Sequence, residues 1–291
     1  MTLVLGAGGQ LGLDLQRALR ASGAPFTALT RAELDVADAD EIARALDAAK
    51  PAVVVNASAY TKVDLAEKEV EAARRVNALG PKRLAEACAA RGIALIHVST
   101  DYVFDGSKSS AYVEDDPVAP VNVYGATKAE GEAMVRAAGG RFAILRASWV
   151  YGEFGGNFLK TMMRLARERD ELRVVADQRG APTSTRELAL AILKIAPRIA
   201  AGAAPSGVYH FTGAGETSWR DFADRVVAAQ ADASGRRPQV VPIATADYPT
   251  PARRPANSVL DNGRFRETFG FCARDWREEV DATVAALLAR G

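Results

Sequence analysis

Two side chains set the chemical question in this sequence. Tyr124 and Lys128 stand four residues apart in Val123-Tyr124-Gly125-Ala126-Thr127-Lys128-Ala129-Glu130, a segment that opens a helix. That spacing puts both on one helical face. A phenol in water has a pKa of about 10 and transfers protons poorly near neutrality. A fixed ammonium beside it favours the phenolate and draws that pKa toward the working range. The same ammonium can reach a ribose hydroxyl of a bound nucleotide. Thr100, at the end of an apolar strand, can hold a carbonyl oxygen against the phenol. Taken alone, Tyr-x-x-x-Lys is common by chance and reads as a solvated face. Its meaning rests on the elements around it.

Those elements begin at the N-terminus. Thr2–Leu5 is a short apolar run suited to a buried strand; it breaks at Gly6-Ala7-Gly8-Gly9. From Leu11 the apolar residues change spacing, and Leu11, Leu15, Ala18 and Leu19 share a helical face. Strand, glycine turn and helix in that order make a phosphate site. Backbone amides point at the anion, and glycine lets the chain come close. The spacing Gly6-x-x-Gly9-x-x-Gly12 misses the common dinucleotide fingerprint by one place.

Residues 24–29 read as a second strand ending in Thr30-Arg31. An acid here would bond an adenosine ribose, whereas a base tolerates a 2′-phosphate. Arg31 therefore leans toward NADP, the alternative being a solvated loop charge. Asp38 is the expected N-cap of a helix over Ile42, Ala45, Leu46 and Ala49. Residues 52–56 lack polar alternation, as in strands covered on both faces. A helix over 69–90 carries Asn77 on its buried side, and a strand over 93–98 delivers Ser99-Thr100-Asp101. With the helix that holds Tyr124 and a fifth strand over Phe142–Ala147, the pattern is an α/β fold. Its sheet is parallel and doubly wound, of Rossmann type, with ligands at the carboxyl ends of the strands.

Beyond Ser148 the alternation loosens. Helices are expected over 158–169, up to Ala196, over 219–231 and over 276–289, with strands over 172–176 and 208–211. The Gly/Ala/Pro stretch 200–207 reads as a linker. The expected division is a dinucleotide-binding domain, residues 1–147 with part of 181–212, and a smaller C-terminal α/β substrate lobe, 148–180 and 213–291.

Composition narrows the classes. A net charge of +1 gives no basic field for nucleic acid or a membrane surface. No apolar run approaches the ~18–20 residues that span a bilayer. The chain starts directly in its first strand, leaving no room for a signal peptide, so the cytoplasm is the expected compartment. Cys88 and Cys272 make no disulfide framework, and two histidines build no zinc spacing. No metal is expected.

Longer motifs now join the pair. They include Gly9-Gln10-Leu11-Gly12, Val63-Asp64, Ser99-Thr100-Asp101-Tyr102-Val103-Phe104, Asn122-Val123-Tyr124-Gly125 with Thr127-Lys128, and Ser148-Trp149-Val150-Tyr151. Asp177-Gln178, Gly180-Ala181-Pro182-Thr183 and Tyr248-Pro249-Thr250-Pro251-Ala252 with Arg254-Pro255 follow. On these the chain resembles the extended short-chain dehydrogenase/reductases, and among them the dTDP-4-dehydrorhamnose reductase family, over nearly its whole length. The resemblance implies hydride transfer from NADPH, or NADH, to the C4 ketone of a nucleotide sugar. By it, Tyr124 protonates the new alkoxide, Lys128 orients the nicotinamide ribose and Thr100 binds the sugar oxygen. Gly6, Gly9, Gln10, Leu11 and Gly12 cradle the pyrophosphate, Asp35 and Val36 flank the adenine, and Ala59, Tyr60, Thr61 and Val98 line the cofactor's path. Asp101, Trp149 and Asn157 fall to the substrate. Trp149 offers a flat apolar face to a deoxysugar, the alternative being a core tryptophan. Arg254 is a candidate for the diphosphate, because a guanidinium forks onto phosphate; a solvated loop arginine is the alternative.

Tyr60 stands where members of the family often carry histidine. Tyr102 occupies the place where related dehydratases carry a proton-abstracting glutamate. Arg31 argues against the epimerases, which hold NAD permanently and commonly carry an acid at the second strand's end. Another nucleotide-sugar reductase or epimerase remains the near alternative. A non-catalytic regulatory subunit of the methionine adenosyltransferase type is the distant one, and having both Tyr124 and Lys128 weakens it. A monomer or homodimer is expected.

Overall fold

The apolar runs assemble into one six-stranded sheet in the computed structural model, which describes residues 1–290 and, among these, every side chain but those of 232–234. The elements begin with β1 (Thr2–Leu5), α1 (Gln10–Ser22), β2 (Phe26–Leu29), α2 (Ala39–Ala49) and β3 (Val53–Asn56). Then come α3 (Val63–Ala66), α4 (Val70–Arg74), α5 (Gly80–Ala90), β4 (Ala94–Thr100), α6 (Val123–Ala138) and β5 (Phe142–Ala147). The next are β6 (Val150–Tyr151), α7 (Phe158–Glu168), β7 (Glu171–Val175), β8 (Arg179–Gly180), β9 (Thr183–Ser184) and α8 (Thr185–Ala200). The chain closes with β10 (Gly207–His210), β11 (Thr217–Ser218), α9 (Trp219–Ser234), β12 (Gln239–Ile243), α10 (Gly263–Phe269) and α11 (Trp276–Leu288).

The main sheet runs β10-β5-β4-β3-β1-β2, with every pair parallel. Strands β3, β4 and β5 are buried almost throughout, which explains their lack of polar alternation; β2, at the edge, is half-buried. Leu15, Leu19, Leu188, Ile192 and Ile195 of α1 and α8 cover one face, and Ile42, Leu46, Leu84, Cys88 and Val135 of α2, α5 and α6 cover the other. A separate core joins α7, α9 and α11 through Leu159, Met163, Phe222, Val226, Val280 and Val284. Phe265 and Phe269 of α10 pack back onto the sheet.

Local chemistry explains several boundaries. Asp38 caps α2 as expected, accepting from the amides of Asp40 and Glu41. The helix expected over 69–90 is interrupted by a π-helical turn, Arg75–Leu79. Pro81 follows, and a proline ring excludes the α-helical position of the carbonyl four residues before it, here Asn77. Residues 200–207 are not a linker. Gly202 (φ 68°) ends α8, the amide of Ala203 returns to the Arg198 carbonyl at 2.8 Å, and β10 enters the main sheet immediately. The small residues there make a helix stop and a turn inside the sheet layer. No helix among the described residues is long and apolar enough to cross a membrane.

Candidate active site

The glycine turn is built for contact by backbone. Gly6 has φ 77°, and a Cβ on it would lie 2.7 Å from the amide nitrogen of Ser58. A Cβ on Gly12 would lie 2.7 Å from the Cα of Ala7. Gly9 caps α1 without a side chain, and no acid occupies the first helical turn. The amides of Gln10, Leu11 and Gly12 are thus open to an anion at the positive end of the helix. Gln16 braces the turn from below, donating to the Ala7 carbonyl at 2.9 Å. A dinucleotide pyrophosphate fits this cradle.

At the end of β2, Glu33 folds back onto the amide and hydroxyl of Thr30 at 2.8 and 2.7 Å. Arg31 is exposed. Asp35 pairs with Arg75 at 2.5 Å and accepts from the Ala37 amide at 2.9 Å. Partial burial alone would raise the Asp35 carboxyl, but the Ala37 amide, Arg75 and Arg31 outweigh it and hold it below its usual range. Val36 is buried against Gly80. Ala59 and Tyr60 are half-buried and Thr61 is exposed. Asn77, from the π-helical turn, fixes this segment by accepting from the Tyr60 amide at 2.8 Å and donating to Thr127 at 3.2 Å. The Tyr60 phenol donates to Glu69 at 2.7 Å.

At the start of α6, Asn122 caps the helix by accepting from the Gly125 amide at 2.8 Å, and Gly125 rests on the Tyr102 carbonyl. Close packing at this glycine brings Tyr124 beside Thr100 and Asp101. The Thr100 hydroxyl donates to Asp101 at 2.9 Å and accepts from the Tyr102 amide at 3.2 Å. Tyr124 meets the Tyr102 ring edge-on, centroids 5.6 Å apart. Lys128, 1% exposed, donates to the Val98 carbonyl at 2.7 Å.

The electrostatics correct one expectation. Burial pushes the Tyr124 phenol up to about 12, with the Thr100 hydroxyl opposing and the Asp101 charge adding to the rise. Lys128 is not among the groups acting on it, because its ammonium turns inward to Val98. Burial lowers Lys128 itself to about 8, with Glu132 opposing. Tyr124 is therefore a neutral phenol at pH 7. Asp101 is raised by burial to about 6, and its Oδ2 has no hydrogen-bond partner.

Three candidates on the substrate side fare differently. Arg254 is clamped by Asp64 at 2.8 and 3.1 Å and reaches the Tyr102 phenol, so it is a positioned cation. Asn157 spends its side chain on the protein. Its Oδ1 caps α7, accepting from Lys160 at 3.0 Å, and its Nδ2 donates to Gln10 and to the Gly152 carbonyl, both at 2.8 Å. It braces the glycine turn. Trp149, 8% exposed with φ 47°, stacks on Trp219 at 3.7 Å and abuts Gly180, so it presents no free face. Its place is in the core of the α7–α9–α11 layer.

Glu132 and Arg146 were not singled out from sequence, and Asp64 and Ser99 entered only as members of motifs, without a role. An arginine inside the apolar strand Phe142-Ala-Ile-Leu-Arg146-Ala was the available signal. Among the described residues no cluster of three or more His, Cys, Asp or Glu side chains is placed to hold a metal.

Comparison with known proteins gives the family and the fold. The sequence profile of a family described as "RmlD substrate binding domain" matches residues 1–289. A dTDP-4-dehydrorhamnose reductase of Burkholderia thailandensis is 48% identical over 296 residues, 99% of each chain. The crystal structure of a dTDP-4-dehydrorhamnose reductase from Clostridium acetobutylicum superposes with a TM-score of 0.92, 38% identity and 99% coverage of both chains. One from Bacillus anthracis, in complex with NADP, has a TM-score of 0.91 at 33% identity and covers 98% of each. Matched from end to end, the chain belongs to the dTDP-4-dehydrorhamnose reductase family.

Proposed function

We propose that this chain reduces the C4 ketone of dTDP-4-dehydro-L-rhamnose to dTDP-L-rhamnose in the cytoplasm, using NADPH with NADH as a possible substitute, as a monomer or homodimer. When bound, the dinucleotide supplies the hydride that reaches the sugar's carbonyl carbon. The amides of Gln10, Leu11 and Gly12 hold its pyrophosphate, with Gly6 and Gly9 keeping the turn open. Asp35 and Val36 border the adenine, and Arg31 beside Arg75 supports a 2′-phosphate. Ala59, Tyr60, Thr61 and Val98 wall the path toward the nicotinamide, and Lys128 binds its ribose. On the sugar, Thr100 and Asp101 hold the oxygens and Tyr124 protonates the alkoxide. An alkoxide is a far stronger base than a phenolate, so the transfer runs downhill although the phenol's pKa is high. Arg254, held by Asp64, meets the diphosphate. Asn157 and Trp149 act through the loop they pin.

The observation carrying the reading is the group formed by Thr100, Asp101 and a protonated Tyr124 at the end of β4, a strand parallel to the one that leads into the glycine turn. The test is oxidation of NADPH and of NADH, run in parallel with enzymatically generated dTDP-4-dehydro-L-rhamnose. Turnover with either, from protein that carries no bound nicotinamide on purification, supports it. Stoichiometric NAD in the purified protein favours an epimerase, and dinucleotide binding without turnover favours a regulatory subunit.

A further inference from the structure

We infer that the buried cluster of Glu132, Arg146 and Ser99 positions Lys128, locking α6 against β4 and β5 and supplying the negative charge that keeps the ammonium charged. The inference rests on Lys128 serving the nucleotide, as proposed above.

The geometry comes from three elements. Ser99 on β4 and Arg146 on β5 are register partners in the sheet. Both reach up to Glu132, which lies one helical turn beyond Lys128. The Ser99 hydroxyl donates to Glu132 at 2.5 Å, and Arg146 grips the same carboxylate through Nε at 2.9 Å and a terminal nitrogen at 2.7 Å. Side-chain exposure of the pair is 2% and 4%. Arg146 also lies over the Phe104 ring, 5.0 Å from its centroid. Thr100 follows Ser99 in β4, and Tyr124, Lys128 and Glu132 form one stripe of α6. The cluster therefore fixes the stripe's height over Thr100.

The other groups around Lys128 supply no anchoring charge. On β4, His97 is neutral, held well below its usual range by burial and by the ammonium itself, and its ring faces Asn56 at 3.2 Å. Asn77 and Thr127 are uncharged and bonded to each other. Arg74 on α4 pairs with Glu130, and Asp64 on α3 pairs with Arg254. Helix α5 turns Leu84, Ala85 and Cys88 inward, its Lys82–Glu86 pair lying outside. Asp101 and Tyr102 face the phenol of Tyr124. Against burial, the charged form of Lys128 is supported by the Glu132 carboxylate, with the Val98 carbonyl as its uncharged acceptor.

A structural brace would alter stability and rate evenly at all pH values, whereas this cluster sets a titration. The test measures NADPH affinity by nicotinamide fluorescence, and kcat/KM for NADPH, between pH 6 and 10 on the full chain. In the wild type both fall as pH rises past about 8, as Lys128 loses its proton. Because E132Q alone strands a buried arginine, the neutral pair E132Q/R146M is made beside it. Where the variant unfolds cooperatively, that alkaline limb moves to lower pH by about one unit in E132Q, the shift expected when an adjacent opposite charge is removed, and by less in the neutral pair, from which a cation leaves with the anion. A limb that stays in place in a folded variant overturns the inference. Should neither fold, the Lys128 side chain of the wild type is followed by NMR; an amine already neutral at pH 7 overturns it equally. K128M separates the two readings. If K128M binds NADPH normally and turns over, the role given to Lys128 fails. If K128M is impaired while E132Q/R146M keeps the wild-type limb, the role given to Glu132 alone fails.

Discussion

The glycine turn offers a graded test, because its three small residues meet very different surroundings. A Cβ on Gly12 would press on backbone, 2.7 Å from the Cα of Ala7 and closer still to the Gly6 carbonyl oxygen. A Cβ on Gly9 would sit 3.3 Å from that oxygen, and one on Gly8 would find only a methyl of Thr30 at 3.8 Å. Alanine in a helix is favoured over glycine by up to about 1 kcal/mol. Overpacking costs about 1–3 kcal/mol, and here the atoms in the way are main chain. At Gly12, inside α1, the clash outweighs the helix preference; at Gly9, the N-cap, where glycine is preferred to alanine, the near contact adds a small cost; at Gly8 nothing opposes. With the helix preference subtracted from the upper part of that overpacking range and an unfolding entropy near 2.1 cal/mol/K per residue, Gly12→Ala should lower Tm by roughly 2–3 °C, Gly9→Ala by about a degree, and Gly8→Ala not at all. The companion assay is NADPH titration by fluorescence. Gly12→Ala should weaken binding at least about ten-fold, since helix and turn must part to admit the methyl. A Gly12→Ala protein that melts and binds like the wild type would refute the close-packed cradle.

Other expectations follow from single contacts. Asp101 has its folded pKa raised to about 6, above the unfolded value, so its cost appears as pH rises from about 4 through 6 and is fully present at neutrality. Asp101→Asn should therefore raise Tm at pH 7.5, by up to about 3 kcal/mol of stability, and leave it unchanged at pH 3.5; equal effects at both would contradict the shift. Asn157→Ala removes a helix cap worth about 1 kcal/mol and the brace to Gln10, so Tm and NADPH affinity should fall together. Loss of sugar affinity alone would restore Asn157 to the substrate. Arg254→Ala should raise KM for the nucleotide sugar by about ten-fold or more while leaving the NADPH dissociation constant alone, the reverse pattern excluding a diphosphate contact.

What could be read from sequence was local. The strand cores and the Tyr124–Lys128 stripe declare themselves within a few residues, by apolar runs and by helical spacing. So did the Asp38 cap. The surroundings of Trp149 and Asn157 could not be read locally because they are distant: the stack on Trp219 and the bond to Gln10, the latter 147 residues away in the chain. The effect of Lys128 on Tyr124 was misjudged for a related reason. Spacing puts two side chains on one face, but the direction of the ammonium depends on the Val98 carbonyl, which another element supplies. Residues 200–207 show that small-residue composition marks a turn without telling whether the sheet continues beyond it. The Glu132–Arg146–Ser99 cluster was invisible for want of a pairing partner in sequence, although a lone arginine in a buried strand already demanded one.

The central claim is that a neutral phenol on α6 delivers a proton to the reduced sugar. The direct measurement is turnover of dTDP-4-dehydro-L-rhamnose by Tyr124→Phe at saturating NADPH, beside the variant's NADPH dissociation constant. The account expects kcat to fall by about 10²-fold or more with cofactor affinity within a few-fold of wild type. Turnover near the wild-type rate in that variant would contradict it.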